Sequence, residues 1–232
     1  MGLTAILLNW KRPDNVRRIV QEYERYAAIT RIVVFNNGAR LDGLRSSKLV
    51  LVEASSNMGL YPRFAMAGLA QTEAIFHTDD DLLVPEGTLL TLYDHWTRAP
   101  FTCQGVQGRR ADERGYNGEN VWGEVEVVLT RALVSHRITN LRALELTPRF
   151  ADLACVPMGN GEDILLSFVA SSLSGRKNMA HKLPFQELPD KGRSVAISVC
   201  WPDHYKHRSA VVRRCLRVVH NGGTARSPAS AH

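Results

Sequence analysis

The stretch Glu73-Ala-Ile-Phe-His-Thr-Asp-Asp-Asp-Leu-Leu-Val-Pro-Glu86 decides how this chain is read. An apolar run, Ala74-Ile75-Phe76, leads into three consecutive carboxylates, Asp79, Asp80 and Asp81. A second apolar run, Leu82-Leu83-Val84, follows and stops at Pro85. Adjacent aspartates repel one another, so a chain that sets three between apolar runs holds concentrated negative charge beside its core. A cation offsets such charge. Oxygen-only ligands suit a hard divalent metal, Mn2+ or Mg2+, which usually shares its shell with substrate phosphates. On a strand, alternate residues face one way, which sets Asp79 and Asp81 on one side and Asp80 on the other. The competing reading is an acidic surface turn. The triplet alone leaves both open.

Working outward, residues 4–8 read as a buried strand, followed by the turn-rich Asn9-Trp10-Lys11-Arg12-Pro13-Asp14. Over residues 15–28, Val16, Ile19, Val20, Tyr23 and Tyr26 recur at helical spacing, with Asp14 or Asn15 as the candidate N-cap. Residues 31–35 form a second strand, closed by the turn signal Asn36-Asn37-Gly38. Residues 49–52 form a third, ending in Ser55-Ser56-Asn57-Met58-Gly59. Residues 63–72 form a helix that delivers the chain to the acidic stretch. Apolar runs without polar alternation, separated by helices, specify an α/β fold with a mostly parallel sheet covered on both faces. Ligands bind such sheets beyond the carboxyl ends of the strands, where all four of these loops lie.

Further on, residues 87–97 read as a helix, 102–107 as a strand, 112–119 as a glycine-rich loop and 121–130 as a strand. A helix begins over 132–136, and 142–157 fits no single pattern. Gly159-Asn160-Gly161-Glu162-Asp163 opens a helix over 164–172, its acidic first residues complementing the helix dipole. Residues 176–194 read as loop, 195–199 as a last strand and 205–219 as a basic helix. No repeat or linker interrupts the chain. The expected domain is 1–220, with 221–232 a disordered tail.

The 232 residues, 44% hydrophobic and 22% charged, suit a globular domain with a sizeable core. A net charge of +6 favours acidic partners: nucleotides, phosphosugars, anionic lipid or nucleic acid. Nucleic acid is disfavoured because the few aromatics sit in apolar runs rather than among exposed basic residues. The four cysteines, Cys103, Cys155, Cys200 and Cys215, show no metal spacing and suit a reducing compartment. No leader or membrane-length apolar run stands out. The expectation is a soluble cytoplasmic protein. Arg213, Arg214 and Arg217 read as a solvated helix face, with peripheral membrane contact as the alternative.

A sheet whose central strand ends in a D-x-D motif resembles the GT-A glycosyltransferases. The order of the other segments is similar to that of the exostosin-like group, retaining transferases of N-acetylhexosamine from UDP-sugars. The segments are Leu8-Asn9-Trp10-Lys11-Arg12, Val33-Val34-Phe35-Asn36-Asn37, Asn57 with Tyr61-Pro62-Arg63-Phe64, and Thr78-Asp79-Asp80-Asp81. Val128-Leu129-Thr130 through His136, then Gly161-Glu162-Asp163-Ile164, follow in the same order, with a weaker match over residues 201–215. The chain departs from the group over residues 112–122, so acceptor identity does not carry over.

The resemblance implies a GT-A, Rossmann-like domain and a UDP-sugar donor used with Mn2+ or Mg2+. It implies a glycan or lipid-linked acceptor. Asp81, with Asp79, is expected to hold the metal, while Asp79 or Asp80 faces ribose and sugar. Arg12, Asn36, Asn37, Asn57 and Arg63 are expected around the nucleotide-sugar, Asp163 beside the anomeric carbon, and Arg208 with His204 over the diphosphate. Each has a plainer competitor. Asn36-Asn37-Gly38 forms turns in any case, Glu162-Asp163 suits a helix start, and arginines are usually solvated. His77 reads as a packed core residue, and Trp10 and Tyr61 as packing residues that shape the pocket. The alternatives are an inverting transferase with Asp163 as general base, a nucleotidyltransferase, for which no glycine-rich phosphate loop is present, and a non-catalytic nucleotide-sugar-binding relative.

Overall fold

The computed structural model describes residues 2–38, 40–154, 159–189 and 201–220. The first apolar runs form β1 (Leu3–Asn9), β2 (Ile29–Asn36), β3 (Leu49–Glu53) and β4 (Ala74–Thr78). These pair in parallel in the order β4-β1-β2-β3. β1, β2 and β4 bury both faces, as the runs require, while the edge strand β3 is only partly buried: in β1, Leu3, Ala5 and Leu7 enter one core cluster and Ile6 and Leu8 another. Between β1 and β2, α1 (Pro13–Arg25) covers the first cluster with Val16, Ile19, Val20 and Tyr23. It starts on Pro13, which needs no N–H partner there. Neither Asp14 nor Asn15 caps it: Arg12 takes the N-cap position without a side-chain cap. The Asn15 amide instead donates to the backbone carbonyls of Asp80 and Pro189, both at 3.0 Å. The helix expected over 63–72 is shorter: α2 (Arg63–Met66) runs into a 3-10 turn, Ala67–Leu69.

The second half differs more from expectation. After β5 (Leu82–Leu83) and α3 (Glu86–Arg98) come β6 (Gln104–Gly105), β7 (Gly108–Arg109), β8 (Ala111–Asp112) and β9 (Gly115–Tyr116). Next are β10 (Gly123–Val125), β11 (Val127–Val128) and β12 (Ala132–His136). Then follow α4 (Arg137–Leu146), α5 (Ala151–Ala154), α6 (Glu162–Ser174), β13 (Asn178–Ala180), β14 (Gln186–Glu187) and α7 (His204–Cys215).

Residues 132–136 are therefore a strand, not the start of a helix. Ala132 and Val134 pack into one core cluster and Leu133 into another, the period-two pattern of a strand buried on both faces. The loop expected at 112–119 includes the second strand of the β8–β9 hairpin, and the one expected at 176–194 includes β13, a strand of the main sheet. That sheet has the order β10-β13-β6-β12-β4-β1-β2-β3, and four of its seven pairings are parallel. The strand expected at 195–199 and the tail 221–232 lie outside the described residues. Among the described residues no helix is long and apolar enough to cross a membrane.

His77 on β4 is fully buried, as expected, and its Nε2 lies 2.7 Å from Asn140 Oδ1. Asn140 in turn donates to Ser135 Oγ and the His136 carbonyl. Burial, reinforced by the charge of Arg63, lowers the His77 pKa to about 3. Below pH 6.5 the unfolded chain binds a proton that the folded chain refuses, so this residue's contribution to stability is lost as pH falls from 6.5 toward 3. At pH 5 the loss is about 2 kcal/mol. Urea unfolding of His77→Gln should show a flatter decline between pH 6.5 and 4 than the wild type. Identical slopes would remove His77 from the acid sensitivity of this fold.

Candidate active site

A cavity of about 1180 Å3 runs along the carboxyl-end rim of the parallel strands. Trp10, Lys11 and Arg12 line it after β1, Asn37 after β2, Asn57 to Leu60 after β3, and Asp79 to Asp81 after β4. The antiparallel strand β12 enters the sheet with Ala132 opposite Thr78, so the residues just before it, Leu129, Thr130 and Arg131, reach the same rim. Glu162 and Asp163 at the start of α6, and His204, Tyr205 and Arg208 on α7, close the far side. Gly161, at φ +106, makes the turn into α6; a Cβ there would also stand 3.0 Å from Val211 of α7.

The three aspartates occupy a turn between β4 and β5 rather than an extended strand, so they do not alternate faces. Each meets a different arginine. Arg12 Nη1 donates to Asp80 Oδ1 at 2.6 Å, and Arg63 Nη2 donates to Asp79 Oδ1 at 3.2 Å. Arg131 Nη2 lies 3.7 Å from Asp81 Oδ1. Backbone bonds fix the turn: the Asp79 N–H donates to the Arg131 carbonyl, and the Leu188 N–H donates to the Asp81 carbonyl. Asp80 is the most enclosed of the three. Its burial outweighs the pull of Arg12 and raises its pKa to about 6.

Arg63 is the central cation of this wall. It is 2% exposed and lies 3.6 Å from Glu162 as well as against Asp79. Its Nε and Nη1 have no hydrogen-bond partner among the described residues. Glu162 also accepts from Thr130 Oγ1 at 3.0 Å, and burial raises its pKa. Across the cavity, Arg208 Nη2 donates to Asp163 Oδ2 at 2.7 Å, and Asp163 Oδ1 accepts the Ile164 N–H. Burial works against the Arg208 charge, but Asp163, Tyr116 and Glu162 outweigh it and hold the guanidinium protonated.

Every site residue expected from the sequence lines this cavity except Asn36. Asn36 lies below the rim, where its Oδ1 accepts from Asn9 Nδ2 at 2.6 Å and its Nδ2 donates to Glu53 at 2.7 Å. Asn37 clips the loop after β3, donating to the Gly59 carbonyl and accepting the Met58 N–H. His204 lines the wall, with its ring near Asn160 at 3.2 Å. Trp10 lines the mouth beneath Lys11, 4.0 Å from the ring centroid, and Tyr61 packs edge-on against Phe64. Arg131, Glu162, Thr130, Arg109 and Tyr116 were not singled out as functional from the sequence. The local signals were the polar pair Thr130-Arg131 after an apolar run and the acidic helix start Glu162-Asp163. Arg213 and Arg217 are exposed, whereas Arg214 makes a bidentate bond to Asp152 at 2.9 and 2.8 Å.

Among the described residues, no three His, Cys, Asp or Glu side chains gather into a ready metal cage. Asp79 and Asp81 are the part-exposed carboxylates of the turn, and both line the cavity. Two part-exposed carboxylates lining the cavity fit a hard divalent ion that takes its other ligands from substrate oxygens and water.

The glycosyl transferase family 64 domain matches residues 3–222. The chain is 25% identical to Exostosin-2 of Homo sapiens over 189 residues, 75% of this chain and 26% of that protein. It is 26% identical to Glucosamine inositolphosphorylceramide transferase 1 of Arabidopsis thaliana over 216 residues, 86% of this chain and 28% of that protein. It thus spans about a quarter of the length of these relatives. The fold matches that of the mannosyltransferase PcManGT from Pyrobaculum calidifontis in complex with GDP-Man and Mn2+, at a TM-score of 0.55 and 16% identity over 83% of this chain and 59% of that one. It also matches S. aureus TarS 1-349 in complex with UDP-GlcNAc, at a TM-score of 0.57 and 13% identity over 94% of this chain and 67% of that one. The architecture is the GT-A fold.

Removing a buried cation and leaving its carboxylates behind is more costly than removing the pair. Arg63→Met should cost about 3 kcal/mol in urea unfolding. Adding Glu162→Gln should restore part of that loss. Strictly additive single-variant effects would show that the Arg63–Glu162 contact does not stabilise the wall.

Proposed function

The chain belongs to the glycosyl transferase family 64 domain family, and on that premise we propose that it transfers a sugar, N-acetylhexosamine, from a UDP-sugar to a hydroxyl of a glycan or lipid-linked acceptor, with retention at the anomeric carbon. One observation carries the reading. The aspartate turn, the buried Arg63 and the Asp163–Arg208 pair face one cavity at the carboxyl ends of parallel strands. GDP-Man with Mn2+ in one structural neighbour and UDP-GlcNAc in another support a nucleotide-sugar donor.

Asp81 and Asp79 would hold a divalent cation, Mn2+ or Mg2+, which when bound would supply charge neutralisation for a leaving diphosphate. The remaining work falls to the chain. Arg12 sets Asp80 toward the ribose side, while Asn37 and Asn57 hold the loop that borders the nucleoside. Arg63, which lines the cavity beside Asp79, is the cation for donor-sugar or diphosphate oxygens. Asp163 is oriented at both oxygens, by Arg208 and by the Ile164 N–H, and stands beside the anomeric carbon. There its carboxylate stabilises oxocarbenium-like charge and orients the acceptor hydroxyl. Arg208, kept protonated, faces the departing phosphate charge.

The buried free thiols of Cys103 and Cys215 support a cytoplasmic setting, and exposed Arg213 and Arg217 support peripheral contact with an anionic membrane surface.

Calorimetry should show wild-type UDP affinity falling by about tenfold or more when Mn2+ is chelated. In Asp81→Asn that metal dependence should vanish; UDP affinity equal to wild type, with and without Mn2+, would sink the metal assignment. Asp163→Asn should bind UDP normally yet lose transfer by about 100-fold or more. Near-normal turnover would reduce Asp163 to a helix-end carboxylate. The anomeric configuration of the product, read by NMR, separates retention from inversion.

A further inference from the structure

Of the arginines that answer the aspartate turn, Arg131 is placed unlike the others. The side chains of Arg12 and Arg63 are 10% and 2% exposed, and each hydrogen-bonds a carboxylate. Arg131 is 24% exposed, lines the cavity, and stands 3.7 Å from Asp81 Oδ1, an ion pair without a hydrogen bond. Other side chains hold it there. Its Nη1 donates to Gln107 Oε1 at 3.1 Å, its Nη2 donates to Glu187 Oε1 at 3.4 Å, and the guanidinium lies 5.6 Å from the Phe185 ring centroid.

Phe185 and Glu187 belong to a strap that also fixes the turn. Its strand β14 pairs with β5, Glu187 opposite Leu82, and the Leu188 N–H donates to the Asp81 carbonyl at 2.8 Å. Asn15 clamps the end of the strap at the Pro189 carbonyl and the turn at the Asp80 carbonyl. The main chain of Arg131 is tied in as well, since its carbonyl accepts the Asp79 N–H at 3.2 Å. Backbone and side chain together therefore set this guanidinium beside Asp81. Glu187 is 72% exposed, so water screens it and it offers Arg131 only a weak counter-charge.

A fixed guanidinium in that place acts in opposite directions on a metal and on a nucleotide. A divalent ion on Asp81 would be a like charge beside Arg131, and so would bind less tightly than to the carboxylates alone. A diphosphate carries the opposite charge, on oxygens whose geometry a guanidinium matches, and so gains affinity. We propose that Arg131 is a positioning residue that guards Asp81: it holds off a bare divalent ion and favours one that arrives with a nucleotide diphosphate. This rests on the transferase reading and adds to it the order in which the site fills.

The experiment titrates the full chain with Mn2+ alone, read by the electron paramagnetic resonance signal of the free ion, and with UDP in the presence of EDTA, read by calorimetry. Wild type is compared with Arg131→Gln and Arg131→Lys. Arg131→Gln should bind Mn2+ about fivefold more tightly than wild type and metal-free UDP about fivefold more weakly. Arg131→Lys, which keeps the charge, should stay within about twofold of wild type for both ligands. Shifts of opposite sign separate this role from a merely structural one, because a loosened turn weakens both ligands together. The proposal is overturned by Mn2+ affinity that is unchanged or weaker in Arg131→Gln, or by Arg131→Lys shifting as Arg131→Gln does. It is equally overturned by a wild type that binds UDP with Mn2+ but not without it, or by metal-free UDP affinity that survives intact in Arg131→Gln. Wild type that binds no UDP even with saturating Mn2+ removes the donor reading instead, and the guarding of Asp81 then stands or falls on the Mn2+ shift.

Discussion

Like-charge repulsion among five carboxylates lining one cavity is the constraint to which the rest of the molecule responds. Asp79, Asp80, Asp81, Glu162 and Asp163 all line the same space. Unit charges ~4 Å apart interact by about 4 kcal/mol at the effective dielectric of a protein surface. No single element can offset that. Arg12 comes from the loop before α1, Arg63 from α2, Arg131 from the approach to β12, and Arg208 from α7. The wall forms only when these elements are packed together, so folding and site assembly are one event. Arg63 matters most because it is buried and touches carboxylates from two separate parts of the chain.

The sheet makes this convergence possible. Parallel β1, β2, β3 and β4 deliver four loops to one rim. The antiparallel β12 then brings a segment to that rim from its amino-terminal side, and β6, antiparallel to β12, sends its following residues Gln107 and Arg109 there too. Beyond the sheet, α6 and α7 pack against each other, and Arg208–Asp163 ties them at the cavity. The aspartate turn and Arg12 follow strands of the parallel half. The hairpin of β8 and β9, fixed to α7 through Ser209, borders the opposite side.

Much of this was legible in the residues. The buried runs of β1, β2 and β4 and the amphipathic α1 carry strong periodicity, and each lies close to its expected bounds. The turn loops after them fall on the rim because parallel strands leave them no other place. The acidic residues before Ile164 stand at a helix start and line the cavity. The second half was harder for a physical reason. Its strands are two to five residues long, too short for a period to show. At 132–136, Ala-Leu-Val-Ser-His offers an apolar run that fits a buried helix or a buried strand equally well.

By itself the sequence determined the class of the sheet, the alternation of strands and helices in its first half and several of the charged residues that line its rim, among them Arg12, Arg63 and the aspartate triplet. Local patterning suffices for these because periodicity and turn chemistry act within a few residues. Tertiary structure alone decided the pairings: which arginine answers which aspartate, that the triplet bends as a turn instead of alternating, that Asn36 braces the rim from beneath, and that Arg131 and Glu162 join the wall. Those outcomes depend on contacts between residues far apart in the chain, such as Arg12 with Asp80 and Arg63 with Glu162. Their register is set by the antiparallel entry of β12 and the packing of α6 on α7, which no stretch of sequence encodes alone.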